Sequence, residues 1–325
     1  MDDPQPAPAG RKPWWRRWLR RSGIAVAALF LLATAGSLIF NAVTAGRARI
    51  PGGMSYVQAG DVRTRYLEWG TGGSPIVLVH GFAESADTWS RLGPYLARTG
   101  HRVYALDLTG AGYSERRGPY DAGHLARQLL AFDQAVHAVR PVLVGHSSGA
   151  AVAARATLDA PGQVSGLVFL DGDALSTGAG ARSPVRHLLV DPYRTALLRL
   201  AVRQDWLIRS IYSSQCGPAC PPLDAAALRT WTRPFQVAGA ESGVWAMLDA
   251  GVAGLTAHEL AGLKTLPLPK RVVFGARDPV FDAAAPAETA VRIGAPAPVL
   301  IPGARHLTMI SNPAEVAAAI WLTRP

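Results

Sequence analysis

Apolar and polar positions along this chain fall into two regimes joined by a short stalk. The first is one unbroken apolar stretch. No charged residue lies between Ser22 and Gly46, and Ile24 to Phe40 reads IAVAALFLLATAGSLIF, close to the roughly 20 residues that cross a bilayer. Residues 46–54 (GRARIPGGM) then read as a flexible linker. The second regime alternates short apolar runs with longer amphipathic ones. Tyr56 to Gln58 and Val62 to Trp69 predict two strands of an antiparallel meander. Ile76 to Val79, Val103 to Leu106, Val142 to Val144, Leu167 to Leu170, Arg271 to Phe274 and Val299 to Ile301 are the apolar runs expected of buried parallel strands. Helical spacing fills most of the gaps, at roughly 85–99, 121–139, 148–160, 283–293 and 312–323.

Such alternation predicts an α/β fold, a mostly parallel sheet flanked by helices, with ligands at the carboxyl ends of the strands. One interval breaks the rhythm. Residues 172–265 hold no convincing strand and are rich in Leu, Arg and aromatic residues, the pattern of a helical cap inserted into the α/β body. The expected organisation is therefore a basic N-terminus (1–22), an apolar anchor or signal (23–45), a linker (46–54), a first core part (55–171), the cap (172–265) and a second core part (266–325).

Composition and charge refine this picture in two ways. With 325 residues, 49% of them apolar and 17% charged, the chain can bury a large core and is far too apolar to be disordered. The net charge of +10 invites a nucleic-acid reading. No helix-turn-helix, zinc-finger or RNA-recognition pattern accompanies it, so nucleic acid is not an expected partner. Part of the charge is instead concentrated before the apolar run, where Arg16, Arg17, Arg20 and Arg21 stand among Trp14, Trp15 and Trp18. Cytoplasmic positive charge with interfacial tryptophans predicts a single-pass anchor with the N-terminus inside and the globular body outside. Val43-Thr44-Ala45 also offers a signal-peptidase site, which would release a secreted form. The length of the apolar run favours the anchor, since signal cores usually span 7 to 15 residues.

The chemistry gathers at strand ends. Val142-Leu143-Val144 runs into Gly145-His146-Ser147-Ser148-Gly149 and then a helix-forming AAVAARATL. This Gly-x-Ser-x-Gly motif stands in the strand-turn-helix setting that exposes a serine as nucleophile. His80-Gly81-Phe82 follows the strand IVLV, Asp107-Leu108-Thr109-Gly110-Ala111-Gly112-Tyr113-Ser114 follows VYAL, and Gly275-Ala276-Arg277-Asp278 and Gly303-Ala304-Arg305-His306 follow the two last strands. Together these resemble the α/β-hydrolase superfamily over residues 55–325, apart from the cap. The resemblance implies a triad in the order Ser147, Asp278, His306, with Asp171 as a reserve acid because some members draw it from an earlier strand. It also implies an oxyanion hole made by the backbone amides of Phe82 and Ser148, and no cofactor or metal. Serine at the elbow sets the chain apart from haloalkane dehalogenases and epoxide hydrolases of similar fold, which place Asp there.

The remaining histidines carry less. His80 and His146 read as packing or supporting groups, and His101, His124, His137, His187 and His258 as surface or structural ones. Cys216 and Cys220, four apart in QCGPACPP, are expected to form a disulfide in the cap, because a metal pair would lack further ligands. Tyr193, Trp206, Tyr212, Trp231, Phe235 and Trp245 supply aromatic surface suited to an apolar substrate pocket or to a plain cap core. Residues 182–212 carry Arg182, Arg186, Arg194, Arg199, Arg203 and Arg209 amid Leu, Ile and Trp, a pattern that fits lipid headgroups or a solvated helix face equally. The expected function is a membrane-anchored serine esterase or lipase for a small, lipophilic ester. Amide, lactone and carbon-carbon bond hydrolysis, or a noncatalytic binding role, are the alternatives on the same fold.

Overall fold

The computed structural model describes residues 14–46, 48–176 and 190–320. Helix α1 (Trp14–Thr44) is 31 residues long with no buried residue, and at 1.5 Å per residue it extends about 46 Å, enough to cross a membrane. The body is an eight-stranded sheet. Its strands are β1 (Ser55–Ala59), β2 (Val62–Trp69), β3 (Pro75–Val79), β4 (Arg102–Leu106), β5 (Val142–His146), β6 (Gly166–Leu170), β7 (Lys270–Gly275) and β8 (Val299–Ile301), in the order β1-β2-β4-β3-β5-β6-β7-β8. β1, β2 and β4 pair antiparallel and all other neighbours pair parallel.

Every central strand buries both faces, which explains why these runs are continuously apolar. Alternate residues divide between two cores. Val77, Val79, Leu143, Leu167, Phe169, Val272 and Phe274 enter one, while Ile76, Leu78, Val144, Val168, Leu170 and Val273 enter the other, as the two-residue period of a strand requires. α3 (Ala122–Ala135), α4 (Gly149–Asp159) and α10 (Ala285–Ile293) cover the first face. α2 (Leu92–Arg98), α11 (Thr308–Ser311) and α12 (Pro313–Ile320) cover the second.

Two helices are shorter than their spacing predicts. The expected helix at 85–99 divides into a 3-10 turn at Ala86–Trp89 and α2, because the Ser85 side chain caps the turn at the Asp87 amide. The expected helix at 121–139 ends at Ala135, since His137 takes a left-handed φ of 56°. The Asp107 loop is structural, as its motif implies. The buried Asp107 carboxylate accepts the Ala86 and Tyr113 amides at 2.6 and 2.7 Å and faces Arg65 at 3.4 Å.

Between β6 and β7 the described residues form only helices: α5 (Tyr193–Ala201), α6 (Asp205–Cys216), α7 (Ala225–Thr232), α8 (Ala240–Asp249) and α9 (Ala257–Ala261), with short 3-10 turns. A single parallel bridge, Leu175 to Leu255, draws the two ends of this insertion together. Leu260 and Leu263, at the end of the expected 172–265 segment, are buried in the sheet's own core. Arg182, Arg186 and His187 lie outside the described residues. Cys216 and Cys220 are joined as a disulfide across 5.8 Å between Cα atoms, closing the end of α6.

Candidate active site

Sheet order reverses direction at β3, between β4 and β5, and the loops leaving β3 and β5 therefore diverge and leave a crevice at their carboxyl ends. Ser147 occupies the turn from β5 into α4. It carries a left-handed φ of 50°, which for a serine stores strain. Its N–H donates to the Leu170 carbonyl at 3.0 Å and its carbonyl accepts the Ala150 amide at 3.1 Å, so the strained conformation is held from both sides. The flanking glycines serve close approach rather than unusual dihedrals. A Cβ on Gly145 would stand 2.4 Å from the Gly149 carbonyl oxygen, and one on Gly149 would stand 2.4 Å from the Val79 oxygen. Gly172 does the same for Ser147, since a Cβ there would meet the Ser147 backbone oxygen at 2.4 Å. The strand-turn-helix pattern points to the first two; Gly172 becomes legible only once β6 lies beside β5.

His306 and Asp278 arrive on the loops after β8 and β7. His306 Nδ1 donates to Asp278 Oδ2 at 2.8 Å, and both side chains are almost fully buried. The other Asp278 oxygen accepts the Val280 amide at 2.7 Å. Among the described residues no hydrogen bond joins Ser147 Oγ to His306. Such bonds are commonly long in an unliganded site and tighten when substrate is bound. The N–H groups of Phe82 and Ser148 have no acceptor among the described residues, and both residues line one cavity with Ser147. Unsatisfied donors of this kind are suited to a developing negative charge.

Asp171, the reserve acid, is placed elsewhere. It is fully buried and accepts the Gly275 amide at 2.7 Å and the Thr308 hydroxyl. Burial, reinforced by the Asp278 charge and only partly offset by His146 and these hydrogen bonds, raises its carboxyl to about 8. Asp278, and not Asp171, is hydrogen-bonded to the His306 ring.

Beside Ser147 lies a pair that the motifs do not announce. Burial alone would strip the proton from His146, but the Glu84 carboxylate, 3.0 Å from Nδ1, overrides burial and raises the imidazole to about 9. Glu84 is correspondingly held below its ordinary value, its own burial penalty overcome by His146. The charged imidazole donates through Nε2 to the His306 carbonyl at 2.9 Å, and Glu84 accepts the Gly81 amide at 3.1 Å. One ion pair thus ties together the loop after β3, the elbow and the histidine loop. His80 is also supporting, its Nε2 accepting the Leu108 amide at 3.0 Å. His124 bonds the Pro119 carbonyl and Asp61 at the start of α3.

The insertion reaches the same loops. Arg305, beside His306, donates to the Ser213 and Ser214 carbonyls at 3.1 and 3.0 Å, satisfying the C-terminal end of α6 with a cation. The Leu307 amide donates to the Gln215 carbonyl at 3.2 Å. A cavity of about 430 Å³ holds Ser147, Ser148 and Phe82 with Asp173, Asp282 and Arg292. A second cavity, of about 460 Å³, lies between the loop after β3 and the insertion. Phe82 is common to both, and Leu198, Val202, Leu207, Ile208 and Phe235 give the second its apolar lining.

Residues 74–313 match the family described as alpha/beta hydrolase fold. The chain is 29% identical over 259 residues to the pimeloyl-[acyl-carrier protein] methyl ester esterase of Edwardsiella ictaluri, covering 77% of this chain and 93% of that protein. It is 28% identical over 318 residues to epoxide hydrolase A of Mycobacterium tuberculosis, covering 81% and 94%. Among solved structures, a bacterial membrane phospholipase A described as a virulence factor superimposes with a TM-score of 0.64 at 23% identity, covering 94% of this chain and 95% of that one. At that identity the likeness speaks for the fold alone. A match that runs from the residue before β3 to the first residue of α12 contains the elbow, the acid turn and the histidine loop within one frame: the chain belongs to the α/β-hydrolase fold family.

Proposed function

We propose that this hydrolase cleaves carboxylic esters through an acyl-enzyme on Ser147, and that α1 holds it at a membrane with the catalytic body outside the cytoplasm. The observation that carries the reading is the convergence of the strained Ser147, the 2.8 Å His306–Asp278 pair and two unsatisfied amides at one end of the sheet. In this reading Ser147 Oγ attacks the ester carbon while His306 Nε2 takes its proton. Asp278 keeps Nδ1 protonated and stabilises the imidazolium. The oxyanion is received by the Phe82 and Ser148 amides, each worth about 3 kcal/mol to the transition state. Collapse expels the alcohol with the proton from His306. Water then attacks the acyl-enzyme by the same route, and ester plus water becomes acid plus alcohol.

Two further facts support the ester and the anchor. The esterase of Edwardsiella ictaluri acts, by its name, on a methyl ester, and its likeness spans nearly its whole length. α1 is also packed onto the body: Thr34 and Tyr193 hydroxyls bond, Asn41 Nδ2 donates to the Pro192 carbonyl at 2.8 Å, and Arg199 donates to the Asn41 carbonyl. A segment so engaged suits a retained anchor better than a discarded signal.

Hydrolysis of p-nitrophenyl esters from acetate to palmitate by the full chain, beside Ser147→Ala, tests the proposal. Turnover that vanishes with Ser147→Ala is the expected result. A wild-type chain that cleaves none of them yet takes a fluorophosphonate label on Ser147 redirects the reading to amide, lactone or carbon-carbon substrates. Absence of the label as well leaves a binding protein on a hydrolase fold.

A further inference from the structure

Helix α5 shows three different faces. Pro192 and Tyr193 at its start and Arg199, with Arg203 just beyond its end, meet α1. Leu198, Ala201 and Val202 line the apolar cavity. Leu197 and Leu200 point outward, 52% and 48% exposed. α6 repeats the arrangement: Leu207, Ile208 and Ile211 face the cavity, and Trp206 is 69% exposed. The cavity wall made by α5 and α6 is therefore apolar on its outer side too.

The contacts with α1 fix the height of this outer face. α5 runs in the same direction as α1, because Tyr193 meets Thr34 and Phe30 whereas Arg199 and Arg203 meet Asn41 and Thr44. The apolar run of α1 ends at Phe40; the Pro192 carbonyl meets Asn41 just past that end, and the Tyr193 side chain reaches back to Thr34, about 9 Å inside it at 1.5 Å per residue. That depth matches the 5 to 10 Å to which interfacial helices sink their apolar face. The charges are arranged for such a place. Arg194 is paired with Asp191 at 3.1 Å and Asp249 at 3.6 Å. Arg199 is paired with Glu241, and exposed Arg209 stands three residues beyond Trp206, in reach of a headgroup phosphate.

We infer that the Leu197, Leu200 and Trp206 face of α5 and α6 is seated in the bilayer beside α1, and that the apolar cavity is filled from there with a membrane-borne acyl ester. The second half of this inference rests on the ester-hydrolase reading; the first does not. Its basis is the continuity of the exposed face with the anchor on one side and with the cavity lining on the other.

The test uses the full chain in phosphatidylcholine vesicles. Brominated phosphatidylcholine quenches tryptophans that reach the acyl chains, and the emission of Trp206 is read as the difference between the full chain and Trp206→Phe. Quenching of that difference is expected, and its absence overturns the membrane seat whether or not any ester is cleaved. Loading is tested with the Leu197→Glu/Leu200→Glu double variant on a fluorogenic diacyl lipid in the vesicles and on p-nitrophenyl butyrate in water. Hydrolysis of the lipid falls about tenfold or more while the soluble ester is cleaved within about twofold of the wild-type rate. Unchanged lipid hydrolysis, or an equal fall on both substrates, overturns loading from the bilayer. If the wild-type chain cleaves neither substrate, the ester reading fails, and the quenching experiment still decides the seat.

Discussion

At the elbow a single methyl group on Gly149 would stand 2.4 Å from a backbone oxygen, whereas α5, on the other side of the cavity, has no buried residue at all. The same contrast runs through the two regions. The loops at the sheet's carboxyl end are fixed by main-chain bonds, buried ion pairs and glycines without room for a side chain. The insertion is a layer of short helices tied down by Arg305, by α1 and by a few buried side chains such as Tyr212 and Leu228. Chemistry that needs sub-ångström placement belongs to the first region. Apolar contact, which has no direction to satisfy, suits the second.

Substitution in each region should sharpen that division. The largest effect is expected from Asp278→Asn, which loses about 10⁴-fold in kcat by leaving the His306 ring unoriented. Asp171→Asn, by contrast, stays within about tenfold, because the amide mimics the protonated carboxyl that burial favours there. Steady-state rates for the two variants exchange places if Asp171 is the acid.

Next is Glu84→Gln, which leaves a buried imidazole without its counter-charge and costs roughly 3 kcal/mol in urea unfolding. Its pH dependence is also specific. The His146 proton is bound more tightly in the folded chain, so its contribution is fully present below 6.5 and is lost as pH rises toward about 9. Asp171, raised from 3.8 to about 8, works in the same direction but over its own interval. Wild-type stability therefore still declines between about 8 and 9, and the Gln variant, where only Asp171 still titrates, declines less there. An equal decline in the variant would mean that the His146–Glu84 pair does not set it.

The smallest effect is expected in the insertion. Leu198→Trp narrows the apolar cavity and lowers the rate on palmitate by about tenfold relative to acetate, with the melting temperature nearly unchanged because α5 buries nothing. A matched loss on both esters would mean that the cavity does not hold the acyl chain.

The same contrast decides how far the chain could be read before it was folded. Strands such as Val142–His146 were legible because both faces are buried and the residue pattern is unbroken. The Ser147 elbow was legible because steric necessity puts glycines at fixed offsets from it. Glu84 was not, since a single carboxylate in a loop has no periodicity, and its partner His146 stands 62 residues later. In the sequence Arg305 shows only as a neighbour of His306; its work at the end of α6 depends on a helix about a hundred residues away. In the insertion, aromatic and arginine content suggested both a pocket and a lipid contact, but which side chain takes which face follows only from the packing of α5 against α1.

The separation of the anchor from the acid and histidine along the chain also orders events during synthesis. α1 leaves the ribosome before the whole of the sheet, while Asp278 and His306 are supplied by the loops after β7 and β8. At translation rates of about 5 to 20 residues per second, the roughly 260 residues between Thr44 and His306 take on the order of 10 to 50 seconds to make. With α1 acting as the anchor, the nascent chain is held at the membrane throughout that interval, before Asp278 and His306 have been translated.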